Sequence, residues 1–189
     1  MRRRTFDLIA SSVGVLLAVL LLVAGGLLTW AYTFVNNQVT TQLTEQQIVF
    51  PPANSAAIKA LPPADAAAMT QYAGQQLTNG KQAETYANHF IAVHLKEIGG
   101  GKTYSQLSAE SLANPGNAKL KAQVDTVFKG TTLRGLLLNA YAFWQIGQIA
   151  LYAAIAAFAG GLIFLVLSIL GFLHMRRTPV AAELQPVSV

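Results

Sequence analysis

Residues 8–35 read LIASSVGVLLAVLLLVAGGLLTWAYTFV, with no charged side chain. A helix needs roughly 20 apolar residues to cross the hydrocarbon core of a bilayer, so this stretch has length to spare. MRRR (1–4) lies just before it, and the positive-inside rule puts that basic end in the cytoplasm. A cleaved signal peptide is the rival reading. A basic start, LLAVLLLV and the small residues Ala24, Gly25 and Gly26 follow the right order for one. Yet the apolar run continues through Leu27, Leu28, Trp30 and Phe34, past the roughly 7–15 residues of a signal h-region. An uncleaved signal anchor fits better.

A second apolar run, LYAAIAAFAGGLIFLVLSILGFLHMRR (151–177), ends on Arg176 and Arg177. That pair marks a second cytoplasmic end, so both termini are expected inside and the chain between the runs outside. Trp30, Tyr32 and Tyr152 fall where an aromatic belt is expected at the outer interface. Counting back about 20 residues from Leu173 puts the outer boundary near Ala153. Neither run has an ionisable residue at its middle. Such residues mark ion paths and proton relays, so a pump or transporter is disfavoured.

Composition agrees with this layout. The chain has 189 residues, 53% hydrophobic and 11% charged, where a soluble domain carries about a quarter charged. There is no cysteine, which excludes disulfides and thiolate chemistry. The net charge of +5 is not a basic patch, because five of the six arginines flank the apolar runs at the chain ends. Seven lysines against six acids leave residues 36–132 at +1. Nucleic acid is therefore not an expected partner.

Outside the runs the pattern is helical throughout. Tyr32, Val35, Val39 and Leu43 continue the first helix at helical spacing. TLRGLLLNAYAFWQIGQIA (132–150) leads into the second run, predicting one helix over 132–175, about 60 Å long. The two extensions would form an antiparallel stalk, with Leu136, Leu137, Tyr141, Phe143 and Trp144 supplying apolar contact. FPPANSAAIKALPPAD (50–65) should be extended. Asp65 is expected to cap a helix over 66–77, which Asn79-Gly80 would end. Further helices are expected at 82–98, stopped by Gly99–Gly101, at 105–113, and at 120–128, stopped by Lys129-Gly130.

The fold class is thus all-α: a two-span transmembrane helical hairpin with long helical stalks and a small helical extracytoplasmic domain. Its parts are a cytoplasmic N-terminus (1–7), transmembrane helix 1 (8–35), the extracytoplasmic domain (36–132), the outer extension of helix 2 (133–150), transmembrane helix 2 (151–175) and a disordered cytoplasmic tail (176–189).

Candidate sites are few. NHFIAVH (88–94) holds His89 and His94. At about 100° per residue they lie about 140° apart on one helix, whereas helical zinc ligands want i,i+4 spacing. With Ala83 at zero, His94 falls in the buried stripe with Ala87, Phe90 and Ile91, and His89 on the far side with Thr85, Ala92 and Lys96. A core histidine and a surface histidine are the plain reading. His94 with Glu97 at i,i+3 makes half a metal site at best, and His174 is expected across the membrane. GGGKT (99–103) lacks the first glycine and the preceding strand of a P-loop. No G-x-S-x-G is present. Arg134, the one arginine expected outside, suits lipid phosphate, an acid such as Asp125, or a partner, and is otherwise a solvated stalk residue. Small residues at four-residue spacing, Ala153/Ala157 and Ala157/Gly161 in the second run and Gly14/Ala18 in the first, let helix backbones approach closely in lipid. They serve either packing between the two spans or docking to another membrane protein. Arg134, Trp144, Ala153, Ala157 and Gly161 are the residues singled out for interaction.

MRRRTFDLI, LLLVAGGLLTWAY, QIVFPP, QYAGQQLTNGKQAETYANHFIAVHLKE and TVFKGTTLRGLLLNAYAFWQIGQIALYAAIAAF resemble a family of small, uncharacterised two-span membrane proteins of actinobacteria. Some of its members carry the label aromatic-ring-opening dioxygenase. Extradiol cleavage generally uses iron held by two histidines and a carboxylate, and the residues here do not support it. The resemblance implies no cofactor and no functional residues. The expectation is a non-enzymatic plasma-membrane protein acting through contacts as an accessory or scaffold subunit. Its partners would be the bilayer and another membrane protein or further copies of itself. An extracytoplasmic ligand-binding or sensor module is the alternative, and a metal-dependent enzyme comes third.

Overall fold

A computed structural model describes residues 3–177; the tail expected to be disordered lies outside these from residue 178. The elements are α1 (Arg3–Glu45), α2 (Ala56–Lys59), α3 (Pro63–Thr70), α4 (Gly80–Tyr86), a π-turn (Ala87–Ile91), α5 (Ala92–Ile98), α6 (Tyr104–Ala113) and α7 (Ala118–Arg177). Among the described residues the only β pairing is one bridge, Val49 with Gln76. α1 and α7, of 43 and 60 residues, each contain a window long and apolar enough to cross a membrane. The described residues fall into two compact units, one within residues 3–33 and 148–177, the other of Phe34–Gly147.

In the first unit α1 meets α7 through small residues. Ser11, Gly14, Ala18 and Gly25 of α1 are buried, as are Ala154, Ala157, Gly161 and Ser168 of α7. The two helices run in opposite directions: Ser11 lies at Gly171, Gly14 at Ser168, Ala18 and Leu22 at Gly161, and Gly25 at Phe158. A Cβ on Gly14 would fall on the Ser168 hydroxyl, and one on Gly171 on the Ser11 hydroxyl. Each helix thus carries Ser-x-x-Gly, and each serine fills the notch of the other helix's glycine. Ser168 Oγ also donates to Phe164 O at 2.7 Å, which settles its polarity within its own helix. Of the pairs read from sequence, Gly14/Ala18 and Ala157/Gly161 enter this contact, whereas Ala153 is exposed.

The second unit has a core of Val39, Leu43, Phe50, Ile58, Leu61, Met69, Leu77, Ala83, Ala87, Ile91 and Leu137. Burial of these side chains supplies its driving force. Backbone bonds Phe50 N–H to Gln75 O (2.9 Å) and Leu77 N–H to Ile48 O (2.8 Å) hold the proline-rich segment against the chain that follows it.

Several boundaries differ from those expected. The stretch 50–65 is not wholly extended: Ser55 accepts a bond from Ile58 N–H and caps the single turn α2. α3 opens at Pro63, where a missing N–H costs nothing, so Asp65 sits inside the first turn and is not its cap. Asn79 starts α4 and does not end a helix, its Oδ1 accepting from Gln82 N–H at 3.0 Å. Lys129-Gly130 does not stop a helix. α7 runs unbroken from Ala118, because Gly130 is where Leu95 packs, 2.5 Å from the place a Cβ would occupy. Gly99–Gly101 does end α5, with Gly100 and Gly101 at φ 58° and 80°, the left-handed cap geometry.

Gly14→Val should push Ser168 out of its notch and destabilise the α1–α7 contact by roughly 1–3 kcal/mol, the usual cost of overpacking. Gly14→Ala with Ser168→Gly should recover most of the loss of Gly14→Ala alone. Thermal unfolding in mild detergent reads both, and additive losses would show that the notch is not the contact.

Candidate functional site

The second unit gathers its polar side chains around the π-turn. α4 is expected to run straight into α5, but one extra residue in the turn at 87–91 shifts the phase between them. Single π-turns within α-helices are rare and frequent at functional sites. The shift precedes α5: no residue of α5 is buried, and His94, expected in the buried stripe, is half-exposed. Thr85, expected on the far side, is buried although it lies ahead of the turn. His89 Nδ1 lies 2.7 Å from Asp65 Oδ1 of α3; a carboxylate only accepts, so Nδ1 carries the proton. His94 Nδ1 lies 2.8 Å from Phe90 O. A carbonyl likewise only accepts, which leaves Nε2 of neutral His94 as an acceptor.

Arg134 of α7 reaches the same turn. Its Nη2 donates to Asn88 Oδ1 at 2.8 Å and its Nε to Ala87 O at 3.3 Å. It is thus a clasp between α7 and the π-turn, and not a solvated stalk residue or a partner of Asp125, which pairs with Lys129 at 2.6 Å. Asn88 Nδ2 donates to Glu84 Oε1 at 3.0 Å, and Lys81 Nζ pairs with Glu84 Oε2 at 3.0 Å. Burial alone would raise the Glu84 carboxyl. The bonds from Lys81 and Asn88 outweigh it and hold the group below its ordinary range, while the bond to Glu84 raises Lys81. Burial pushes the Tyr86 phenol up. Trp144 lies directly over Gly80, whose Cβ would overlap it.

Rings form a ladder from core to surface: Phe50 edge-on to Tyr86 at 5.3 Å, Tyr86 to Phe90 at 5.0 Å, Phe90 to His94 at 4.4 Å. The ladder walls an open groove of about 230 Å³, lined further by Leu95, Ile98, Gly130 and Leu133. Glu97 does not line this groove; it faces a separate depression with Lys119 and Gln123. Among the described residues no group of three or more His, Cys, Asp or Glu could hold a metal.

Sequence reasoning missed the Asp65–His89 pair, the target of Arg134 and the π-turn. It also passed over Asp7, whose Oδ2 is buried without a hydrogen-bond partner in a cavity of about 310 Å³ with Ser11, Gly14 and Ser168. No protein-family model, curated protein or solved structure matches this chain.

Arg134→Ala should cost about 1.5–3 kcal/mol, the range for bonds from a charged donor, and Arg134→Lys should recover only part, since one ammonium cannot reproduce the planar fork. Chemical denaturation measures both; a neutral Arg134→Ala would remove the clasp. Because the Glu84 carboxyl is lowered in the fold, its contribution is present above the ordinary carboxylate range and lost as pH falls through the folded value. Glu84→Gln should therefore lower the melting temperature near neutrality, and the gap to wild type should close on acidification. An unchanged gap would show that the carboxylate does not act as described.

Proposed function

We propose that this chain is an integral plasma-membrane protein forming a two-span helical hairpin, with both termini cytoplasmic and residues 36–132 extracytoplasmic. It acts through protein contacts as an accessory or scaffold subunit, not as an enzyme. Only 17% of each long apolar window is buried within the chain. A helix of a soluble core would bury most of such a window, so lipid is the natural cover. The arginines at the chain ends support the orientation.

The observation that carries the contact role is the outward face of α7 beyond the span. The bilayer core covers about 30 Å, or 20 residues, which reaches back from Leu173 to about Ala153. Leu136, Phe143 and Ile146 lie farther out and are 61%, 60% and 58% exposed. α1 at comparable distance from its span exposes Asn37, Gln38, Thr41 and Gln42. Apolar surface of that kind, beyond the reach of lipid, marks a protein-binding face.

A second reading, a ligand-binding or sensor module, rests on the His94 groove. Its apolar walls and one imidazole acceptor suit a compact apolar molecule with a single hydrogen-bond donor.

Mass spectrometry of the full chain, purified from its native membrane in mild detergent, separates the readings. A stoichiometric protein assembly is expected. A monomer carrying a small molecule that is lost in His94→Ala would favour the second reading, and stoichiometric metal would revive an enzyme.

A further inference from the structure

Among the described residues, Asp7 Oδ2 is the buried side-chain oxygen that has no hydrogen-bond partner, and no described ion pair reaches Asp7. A carboxylate held out of water without a donor is costly, and folded proteins pair such groups with other side chains, with water or with a ligand. Ser11 follows one turn along α1, is 5% exposed and makes no described hydrogen bond. Ser168 of α7, also buried, gives its one proton to Phe164 O and keeps only acceptor capacity. All three oxygens line one cavity of about 310 Å³ between α1 and α7, inside the first compact unit.

The rest of the cavity is apolar, walled by Val13, Leu17, Phe164 and Leu167. From Asp7 to Leu17 is about 15 Å along the helix, half of a hydrocarbon core of about 30 Å. The cavity therefore has the depth of one leaflet, polar at the end of the chain's terminal arginines and apolar toward the bilayer centre. Arg176 and Arg177 are exposed in the last turn of α7 at that same end.

This arrangement selects its occupant. The carboxylate only accepts and the Ser168 proton is already used, so the group that meets them must donate. A primary ammonium brings three N–H donors and a positive charge. A quaternary ammonium brings no donor, and an anionic head is repelled by Asp7. A metal ion gains nothing from apolar walls and finds one carboxylate, with no group of three or more His, Cys, Asp or Glu among the described residues. An alkyl chain uses the walls, and a phosphate beside the ammonium suits the two arginines. We propose that this cavity holds a phospholipid of the cytoplasmic leaflet with a primary-amine headgroup, its ammonium on Asp7 and its chain along Leu17, Phe164 and Leu167. This rests on the two-span reading, which sets Asp7 at the cytoplasmic interface.

Full-length protein in mild detergent is mixed with equal amounts of phosphatidylethanolamine, phosphatidylcholine and phosphatidylglycerol of identical chains, and retained lipid is counted by native mass spectrometry. Phosphatidylethanolamine should be retained several-fold above the other two. Asp7→Asn should reduce it to the phosphatidylcholine level. Leu17→Trp, which keeps the carboxylate and fills the apolar end, should reduce it as well. Asp7→Asn removes an unpaired buried charge, so the melting temperature of the lipid-free protein should not fall, and this separates loss of the site from loss of the fold. Equal retention of the three lipids, or an Asp7→Asn protein that still prefers phosphatidylethanolamine, would overturn the proposal. Displacement by equimolar free ethanolamine would make a soluble amine the occupant and overturn the lipid. The chain has no cysteine of its own, so Leu112→Cys, at 82% exposure, tests the topology separately through an impermeant maleimide on intact cells. If Leu112→Cys is unlabelled the two-span reading fails; if it is labelled while no lipid is preferred, the lipid site alone fails.

Discussion

Close approach of backbones, made possible by glycine, is the constraint on which this structure depends. Gly80 of α4 receives Trp144, Gly130 receives Leu95, Gly161 receives Leu22, Gly171 receives Ser11 and Gly14 receives Ser168. At Gly161 a Cβ would crowd Leu22, and at the other four it would overlap the side chain that arrives. A glycine in a helix costs about 1 kcal/mol relative to alanine, so five such positions are an outlay that only packing offsets. The offset differs between the units. At Gly130 and Gly80 it is burial of Leu95 and Trp144 from water. At Gly14 and Gly171 the arriving groups are the small side chains of Ser168 and Ser11, and the gain is dispersion between closely fitted surfaces. One chemical device thus serves both units of the molecule.

The parts of the fold that were legible in the sequence are those governed by a single period. The two long helices, the continuation of α1 through Val39 and Leu43, α6, and the glycine stop after α5 all follow from helical spacing and from residues that break it. Glycine and asparagine misled wherever their local preference was overruled by tertiary contact. Gly130 looks like a stop and is a contact; Asn79 looks like an end and is a cap. The π-turn left no trace, because the extra residue is inserted without changing composition. It nevertheless decides the orientation of both histidines.

The polar site was the least legible part. Asp65 and His89 are 24 residues apart and Arg134 and Asn88 46 apart, separations at which no local pattern operates. The Ser-x-x-Gly of α1 and of α7 was readable in principle. The contact positions 11, 14, 18 and 25 of α1 and 154, 157, 161, 168 and 171 of α7 recur at steps of three, four and seven, so four-residue pairs alone show only part of it.

Arg134 shows how the polar and apolar halves of α7 divide the labour. Its guanidinium turns toward the π-turn, so the one cation expected on the outer stalk is spent internally and the opposite face of the same helix is left apolar. Had Arg134 pointed outward it would have solvated that face and opposed any partner. With the charge turned inward, the outward surface from Leu136 to Ile149 has no ionic group to discourage association.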